Sequence, residues 1–375
     1  MPRLHRLIFL IIFVFPICLR ASEPLKVLHL CFHEGCAHEI NGIAPSCKLD
    51  LTTWNVANMA PYAFDPDVEG GQILYNIDAP RASRIWDQHK DFFNTFDAVI
   101  VSDTTALSRI FLQNSWQKPL IIWITNRYDW CWLGEENRSF PDKAYYQLLR
   151  DAQKQPNVFF VPSSSFEIFW AKKKKIDLGD RIIQHCAAYL NEDDLTYHPS
   201  QEIKKEIFIH KRTEELQAPR LFPTTICSFL QTKKIAAQSV RYTHLKDLIL
   251  YKAVLYLPYQ WCVISMFETL HLGLPTLIPS QSFLLSLVKD TNYYFEHKKT
   301  LLKKQNFDLM EWYRPEFKDV FIYFDSWDDL AKKIAETDFA AVQCKTLEAG
   351  QKNTKKTIHR WQSLFEEIRN QIDKH

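Results

Sequence analysis

Short apolar runs of strand length recur along this chain, each followed by a stretch with helical spacing. That alternation constrains the fold more than any other feature. In the first half the runs are 26–32 (KVLHLCF), 49–56 (LDLTTWNV), 97–103 (DAVIVSD), 119–127 (PLIIWITNR) and 157–164 (NVFFVPSS), with 181–187 (RIIQHCA) as a sixth candidate. Between them, 81–96 places Ile85, Trp86, His89, Phe92, Phe93 and Phe96 on one helical face. Strand–helix–strand repetition of this kind predicts a parallel sheet with helices on both faces. The residues 191–206 (NEDDLTYHPSQEIKKE) are polar. The alternation then restarts with 206–212 (EIFIHKR), 253–259 (AVLYLPY), 275–280 (PTLIPS) and 319–325 (DVFIYFD).

The sequence therefore predicts two α/β domains, 23–195 and 196–375, and 375 residues suit two units of roughly 150–200 each. Each is expected to be a Rossmann-like, doubly wound domain, the two facing a central cleft. Ser326 and Asp329 form a capping pattern before a helix. The last helix carries Ile358, Trp361, Leu364, Phe365, Ile368 and Ile372 as an apolar stripe, predicted to pack back on the rest of the protein. No internal repeat of fixed period is visible. In doubly wound sheets ligands sit beyond the carboxyl ends of the strands, so the residues following each strand are the ones that matter.

Other features bound the function. The formal net charge is +2, which demands no nucleic-acid partner. The basic run 171–177 (AKKKKID) reads as a solvated helix end. Residues 1–6 are basic and 7–19 (LIFLIIFVFPICL) apolar, shorter than the roughly 20 residues a spanning helix needs. Residues 1–22 are thus expected to be a signal peptide, or alternatively a short signal anchor. The body would be exported, with membrane association through the N-terminus as the variant. Eight cysteines beyond Cys18 permit disulfides without implying any. Asn137-Arg138-Ser139 is a glycosylation sequon.

The most informative segment is 253–283 (AVLYLPYQWCVISMFETLHLGLPTLIPSQSF), which places Glu268 inside an apolar helix ahead of a Gly-Leu-Pro turn. Ser265 and Glu268 fit a capping box. The segment also resembles the donor-binding signature of glycosyltransferases with the two-Rossmann-domain (GT-B) fold, keeping Ser265, Glu268, Gly273 and Pro275 in order and spacing. The exostosin-like branch is about as similar as two others. In those two, Gln260 stands where they carry Glu or His. The resemblance is specific over roughly thirty residues and architectural elsewhere. It implies transfer of a sugar from a nucleotide-activated donor to a hydroxyl of a glycan, protein or lipid, with no cofactor beyond the donor and no obligatory metal. Glu268 would hold the ribose, the helix start at Ser265 with Lys211 and Arg212 the diphosphate, and Tyr259 and Gln260 the donor sugar.

In the first domain, His33, Glu34 and His38 lie in the loop expected after the first strand and are candidates for a catalytic base. Asp103, Asn126 and Arg127 are candidates for the acceptor cleft; for the strand end Asn126-Arg127-x-Asp129 the alternative is salt-bridge anchoring of the next loop. His29, Cys31, His33, Cys36 and His38 are dense in metal-ligand types, but no spacing matches a zinc motif. Asp65-Pro66-Asp67 reads as a turn. The rival functional classes are an extracytoplasmic two-lobed solute-binding protein, which the export signal favours, and an inactive glycosyltransferase-like protein, which Gln260 favours.

Overall fold

The computed structural model describes residues 23–54, 77–103, 105–128, 143–190, 205–210, 221–240, 244–291, 293–304 and 306–374. It contains two five-stranded parallel sheets. The first has the order β2-β1-β3-β4-β5, built from Leu25–Leu30 (β1), Leu49–Trp54 (β2), Ala98–Ser102 (β3), Leu120–Ile124 (β4) and Val158–Pro162 (β5). The second has the order β10-β9-β8-β6-β7, built from Ile207–His210 (β6), Ala237–Val240 (β7), Ala253–Leu255 (β8), Thr276–Pro279 (β9) and Ile322–Phe324 (β10). Renumbered from its own first strand, the second sheet has the same order as the first. The two halves share a topology that no sequence repeat betrays. Both are doubly wound, and each has its switch point between its first and third strands, β1/β3 and β6/β8.

The central strands read as continuous apolar runs because both faces are covered. On one face of the first sheet Leu28, Val99, Val101, Leu120 and Ile122 pack with helix α2 (Ala79–Phe93). On the other, Val27, Ile100, Ile121 and Trp123 meet α1 (Glu34–Ile43) and the end of the last helix. Asp78 caps α2 through Arg81 N, just before Pro80, and Ser326 caps its helix (Trp327–Glu336) through Asp329 N, as expected.

Two expectations need correction, and one strand lies outside them. The run 181–187 is not a strand. It passes the sheet as irregular chain, tied by Ile183 N to Pro162 O (3.0 Å), by Trp123 Nε1 to Ile183 O (3.1 Å) and by Asn353 Nδ2 to His185 O (2.8 Å). The segment after β1 is not a loop but α1, beginning at Glu34. The edge strand β7 was not foreseen, because AQSV is polar and only half-buried.

The final helix (Phe339–Ile372, 34 residues) joins the halves. Near its start Gly350 lies so close to the second domain that an added Cβ would sit 2.2 Å from Leu270 O. Further on, Trp361, Leu364, Phe365 and Ile368 are buried against the first sheet. The apolar stripe packs back as the sequence predicts, and it does so on the other domain. No helix among the described residues is long and apolar enough to cross a membrane.

Candidate functional site between the two sheets

The carboxyl ends of the two sheets face each other. β1 leads through Cys31 into α1, with His33 as N-cap: its Nδ1 accepts from Gly35 N at 3.1 Å. β8 leads into helix α7 (Ile264–His271; α3 to α6 are Arg109–Leu112, Lys143–Ala152, Ser165–Lys172 and Leu221–Thr232). A Cβ on Gly35 would meet Ile264 Cδ1 at 2.9 Å, so the start of α1 rests on the start of α7. Two helix N-termini, one from each domain, converge at the switch points. His33, Glu34 and His38 are all solvent-accessible there. The protein mass around His33 lowers its pKa by desolvation even though solvent reaches the ring, while Cys31 and Glu34 oppose the shift. Its imidazole is therefore neutral near pH 7, the form a general base needs. His38 lies on the helix body with its ring 5.4 Å from that of Tyr189.

The N-cap of α7 is Val263, which supplies no side-chain bond. Ser265 is one residue inside the helix, and its Oγ pairs with the Tyr256 hydroxyl at 2.6 Å. The capping box expected from Ser265 and Glu268 is not formed. Glu268 is 8% exposed, on a helix whose Met266, Phe267, Thr269 and Leu270 are also buried. The hydroxyl of Tyr189 donates to Glu268 Oε1. Burial raises the Glu268 pKa to about 7 against the opposing effect of that bond. The turn after α7 reverses at Gly273 with φ +65°, a conformation open to glycine at little cost. Tyr259 and Gln260 precede the helix half-buried, with Gln260 Nε2 donating to the Tyr259 hydroxyl at 3.1 Å.

A second buried carboxyl lies beside the first. Glu39 on α1 accepts from Ala187 N at 2.7 Å and Cys186 N at 3.1 Å. Burial raises its pKa to about 7, and the charge of Glu268 adds to the rise. Gly42 lets α1 lie directly on this segment, since a Cβ there would be 2.4 Å from Tyr189 N. Sequence reasoning missed Glu39. Its only signal was that it shares a helical face with Cys36, Ile40 and Ile43.

On the opposite flank, Arg127 is 2% exposed and does not line the cleft. Its Nε is 3.2 Å from Glu167 Oε1 in the first domain, and its Nη1 is 3.2 Å from Glu296 Oε2 in the second. Its guanidinium also lies 5.4 Å from the Phe166 ring centroid, and Phe166 stacks on Trp261 at 4.1 Å. Arg127 is salt-bridged, but across the two domains, as a clamp between them. Asn126 Oδ1 accepts from Arg127 N and Nη2, each at 3.0 Å, and so orients the clamp. Asp103 is buried at φ 66°, its backbone N donating to Thr125 Oγ1 at 3.1 Å, and burial pushes its pKa well up.

Part of the His/Cys-rich stretch gathers at the end of β1, where Cys31 is in side-chain hydrogen-bond reach of both His29 and Cys36. His29 Nε2 lies 2.7 Å from Ser102 Oγ, the Cys31 thiol donates to His33 O at 3.1 Å, and Cys36 Sγ lies 3.3 Å from Thr125 Oγ1. Among the described residues no group of three His, Cys, Asp or Glu side chains could hold a metal, and the seven described cysteines are free. Lys211, Arg212, Asp65, Asp67, the sequon and residues 1–22 lie outside the described residues. A surface cavity of ≈ 450 Å³, lined by Leu285, Ser286, Lys289, Asp290 and Leu302, shares no residue with this site.

No protein-family model matches the chain, and no curated protein matches its sequence. Among solved structures, it is similar to a provisionally assigned UDP-N-acetylglucosamine 2-epimerase from Listeria monocytogenes (13% identity, 87% of this chain and 91% of that one, TM-score 0.47). It is also similar to the glycotransferase of kitacinnamycin (12%, 92% and 99%, TM-score 0.47) and to the calicheamicin glycosyltransferase CalG4 (10%, 94% and 100%, TM-score 0.47). At such similarity these likenesses assign no substrate or activity to this chain, and the functional argument rests on the site itself.

Proposed function

We propose that the protein is a glycosyltransferase that moves a sugar from a nucleotide-activated donor to an acceptor hydroxyl without an obligatory metal. The observation that carries this reading is Glu268, a buried carboxyl beside an α7 N-terminus with no side-chain cap, placed opposite the start of α1. In this reading Glu268 takes a ribose hydroxyl, displacing Tyr189. The first amides of α7 meet the diphosphate, where they stabilise the charge that develops on the leaving group. Lys211 and Arg212 complete the phosphate clamp, and Tyr259 and Gln260 border the donor sugar. His33, neutral near pH 7, is the candidate to deprotonate the acceptor, with Glu34 and His38 close to it in the chain. The N-terminal segment would direct the protein out of the cytosol.

The test is a thermal-shift titration with UDP, GDP, CDP and their sugars, repeated on Glu268→Ala. Stabilisation of the wild type by one nucleotide family, lost in the variant, supports the donor site. Absence of any shift sinks it. If transfer is then measured, His33→Asn is expected to lower kcat by about 10²–10⁴-fold. One observation favours a second reading, an inactive relative: the Tyr189 hydroxyl already satisfies Glu268. Nucleotide binding without transfer to any acceptor would establish it.

A further inference from the structure

The lysine run at the end of α5 reads in sequence as an ordinary solvated helix end. The structure gives it a counterpart. Helix α9 (Lys298–Lys304; α8 is Gln281–Asp290) brings Lys298, Lys299 and Lys303 from the second domain to the same place, and Lys173 Nζ reaches Thr300 Oγ1 at 3.2 Å. Two lysine runs more than a hundred residues apart, one from each domain, form a single basic surface. It adjoins the Arg127 clamp: Glu296 binds Arg127, and the next residue, His297, stacks on Trp170 at 4.0 Å.

Local structure accounts for only half of this charge. Lysines at the end of α5 suit the helix dipole, whereas Lys298 and Lys299 occupy the first turn of α9, where the dipole disfavours cations. Among the described residues Lys172, Lys175, Lys298, Lys299 and Lys303 form no ion pair with a carboxylate. The whole chain carries a formal +2; Lys172, Lys173, Lys174, Lys175, Lys298, Lys299 and Lys303 alone carry +7, which leaves −5 for the rest. Such a concentration of one sign creates a local field that the global balance conceals.

We propose that this surface binds an acidic polysaccharide, a chain bearing carboxylate or sulfate groups, that extends out of the interdomain cleft. Its identification with the acceptor rests on the transferase reading above. Two rival occupants fit the surface less well. Insertion into a membrane needs exposed apolar side chains, and Tyr294 is the one large hydrophobic exposed among the described residues. Single-stranded nucleic acid needs open aromatic faces, and Trp170 is covered by His297 and by Lys173, whose Nζ lies 4.0 Å from the ring centroid.

The experiment is fluorescence anisotropy of labelled heparin, polygalacturonate and neutral dextran with the full chain across a salt series. Heparin or polygalacturonate should bind and dextran should not, with affinity falling as salt rises. Two triple variants, Lys172→Glu/Lys174→Glu/Lys175→Glu and Lys298→Glu/Lys299→Glu/Lys303→Glu, should each weaken binding by about tenfold or more, as expected when a focused field is inverted. Alanine versions of both triples guard against misfolding and should show the same loss in smaller degree. The control Lys345→Glu/Lys352→Glu/Lys355→Glu makes the same charge change on the exposed face of the last helix and should bind like wild type. Equal loss in the control, loss in only one of the two runs, or no preference for acidic polymers overturns the proposal. So does tighter binding to single-stranded DNA, or to vesicles of equal parts phosphatidylglycerol and phosphatidylcholine. Nucleotide thermal shifts on the same samples separate the two readings. Polymer binding without nucleotide binding leaves the surface standing and removes the transferase.

Discussion

Arg127 and Glu268 are both ionisable groups buried where the two domains meet, and the fold treats them in opposite ways. Arg127 is matched by one carboxylate from each domain and held by Asn126. Among the described residues Glu268 has no cation beside it. It has a hydroxyl from Tyr189 and a second buried carboxyl, Glu39, whose own pKa its charge raises. The first arrangement balances charge and clamps the domains. The second leaves two carboxyls with pKa values near 7, and so a junction that responds to protons and to polar ligands. Burial at a domain junction thus makes either a lock or a site, depending on whether the charge is paired.

Four measurements break or sharpen that contrast. The largest effect is expected from Arg127→Met, which removes the cation shared by Glu167 and Glu296 in the interior and should cost about 3–5 kcal/mol in denaturant unfolding. A loss under ~1 kcal/mol would mean that the clamp is not what couples the domains. Gly42→Ala wedges the other flank by driving a Cβ against the Tyr189 backbone, for an expected cost of about 1–3 kcal/mol. Tyr189→Phe removes the hydroxyl from Glu268 and should cost about 1 kcal/mol. Because that bond lowers the Glu268 pKa, the variant should also move the carboxyl's titration to higher pH, readable by NMR of the labelled side chain.

The pH dependence of stability is a separate readout of the same carboxyl pair. Glu39 and Glu268 titrate at about 4.5 when unfolded and near 7 when folded, so the folded state holds their protons more tightly. Their contribution is complete below about pH 4.5 and is lost as pH rises through about 7. The two interact, so the titration belongs to the pair. Glu268→Gln should flatten the slope between those limits while leaving the Arg127 flank untouched. An unchanged slope would place the pH sensitivity elsewhere.

Much of the architecture was legible. The strands of both sheets lie within apolar runs, because a strand covered on both faces must be apolar along its whole length. The exceptions are instructive. β7 sits at an edge, and AQSV is half-buried, so no apolar signal marked it. The run RIIQHCA had the signal and is no strand, because the space beside it is taken by the last helix, whose Asn353 and Arg360 side chains bind its carbonyls. Helix α1 was hidden by a polar exposed face and by four buried residues of which one is a glutamate. Of the site, Glu268 was visible as a charge at an apolar helical position. Its neighbour Tyr189 carried no such mark, and Glu39 showed it only as a member of the Cys36, Ile40 and Ile43 face, in a segment that reads as a loop.

By itself the sequence determined that two parallel α/β units would form and that their chemistry would gather at strand ends, since periodicity and apolar runs are local properties that fix element type and covered faces. Tertiary structure decided what each polar group at those ends would do. Arg127 became a clamp because Glu167 and Glu296, distant in the chain, close on it from two domains. Glu268 kept a carboxyl without a cation because, among the described residues, it is a tyrosine and another acid that come to meet it. A buried charge is defined by its partners, and partners are brought together by the fold.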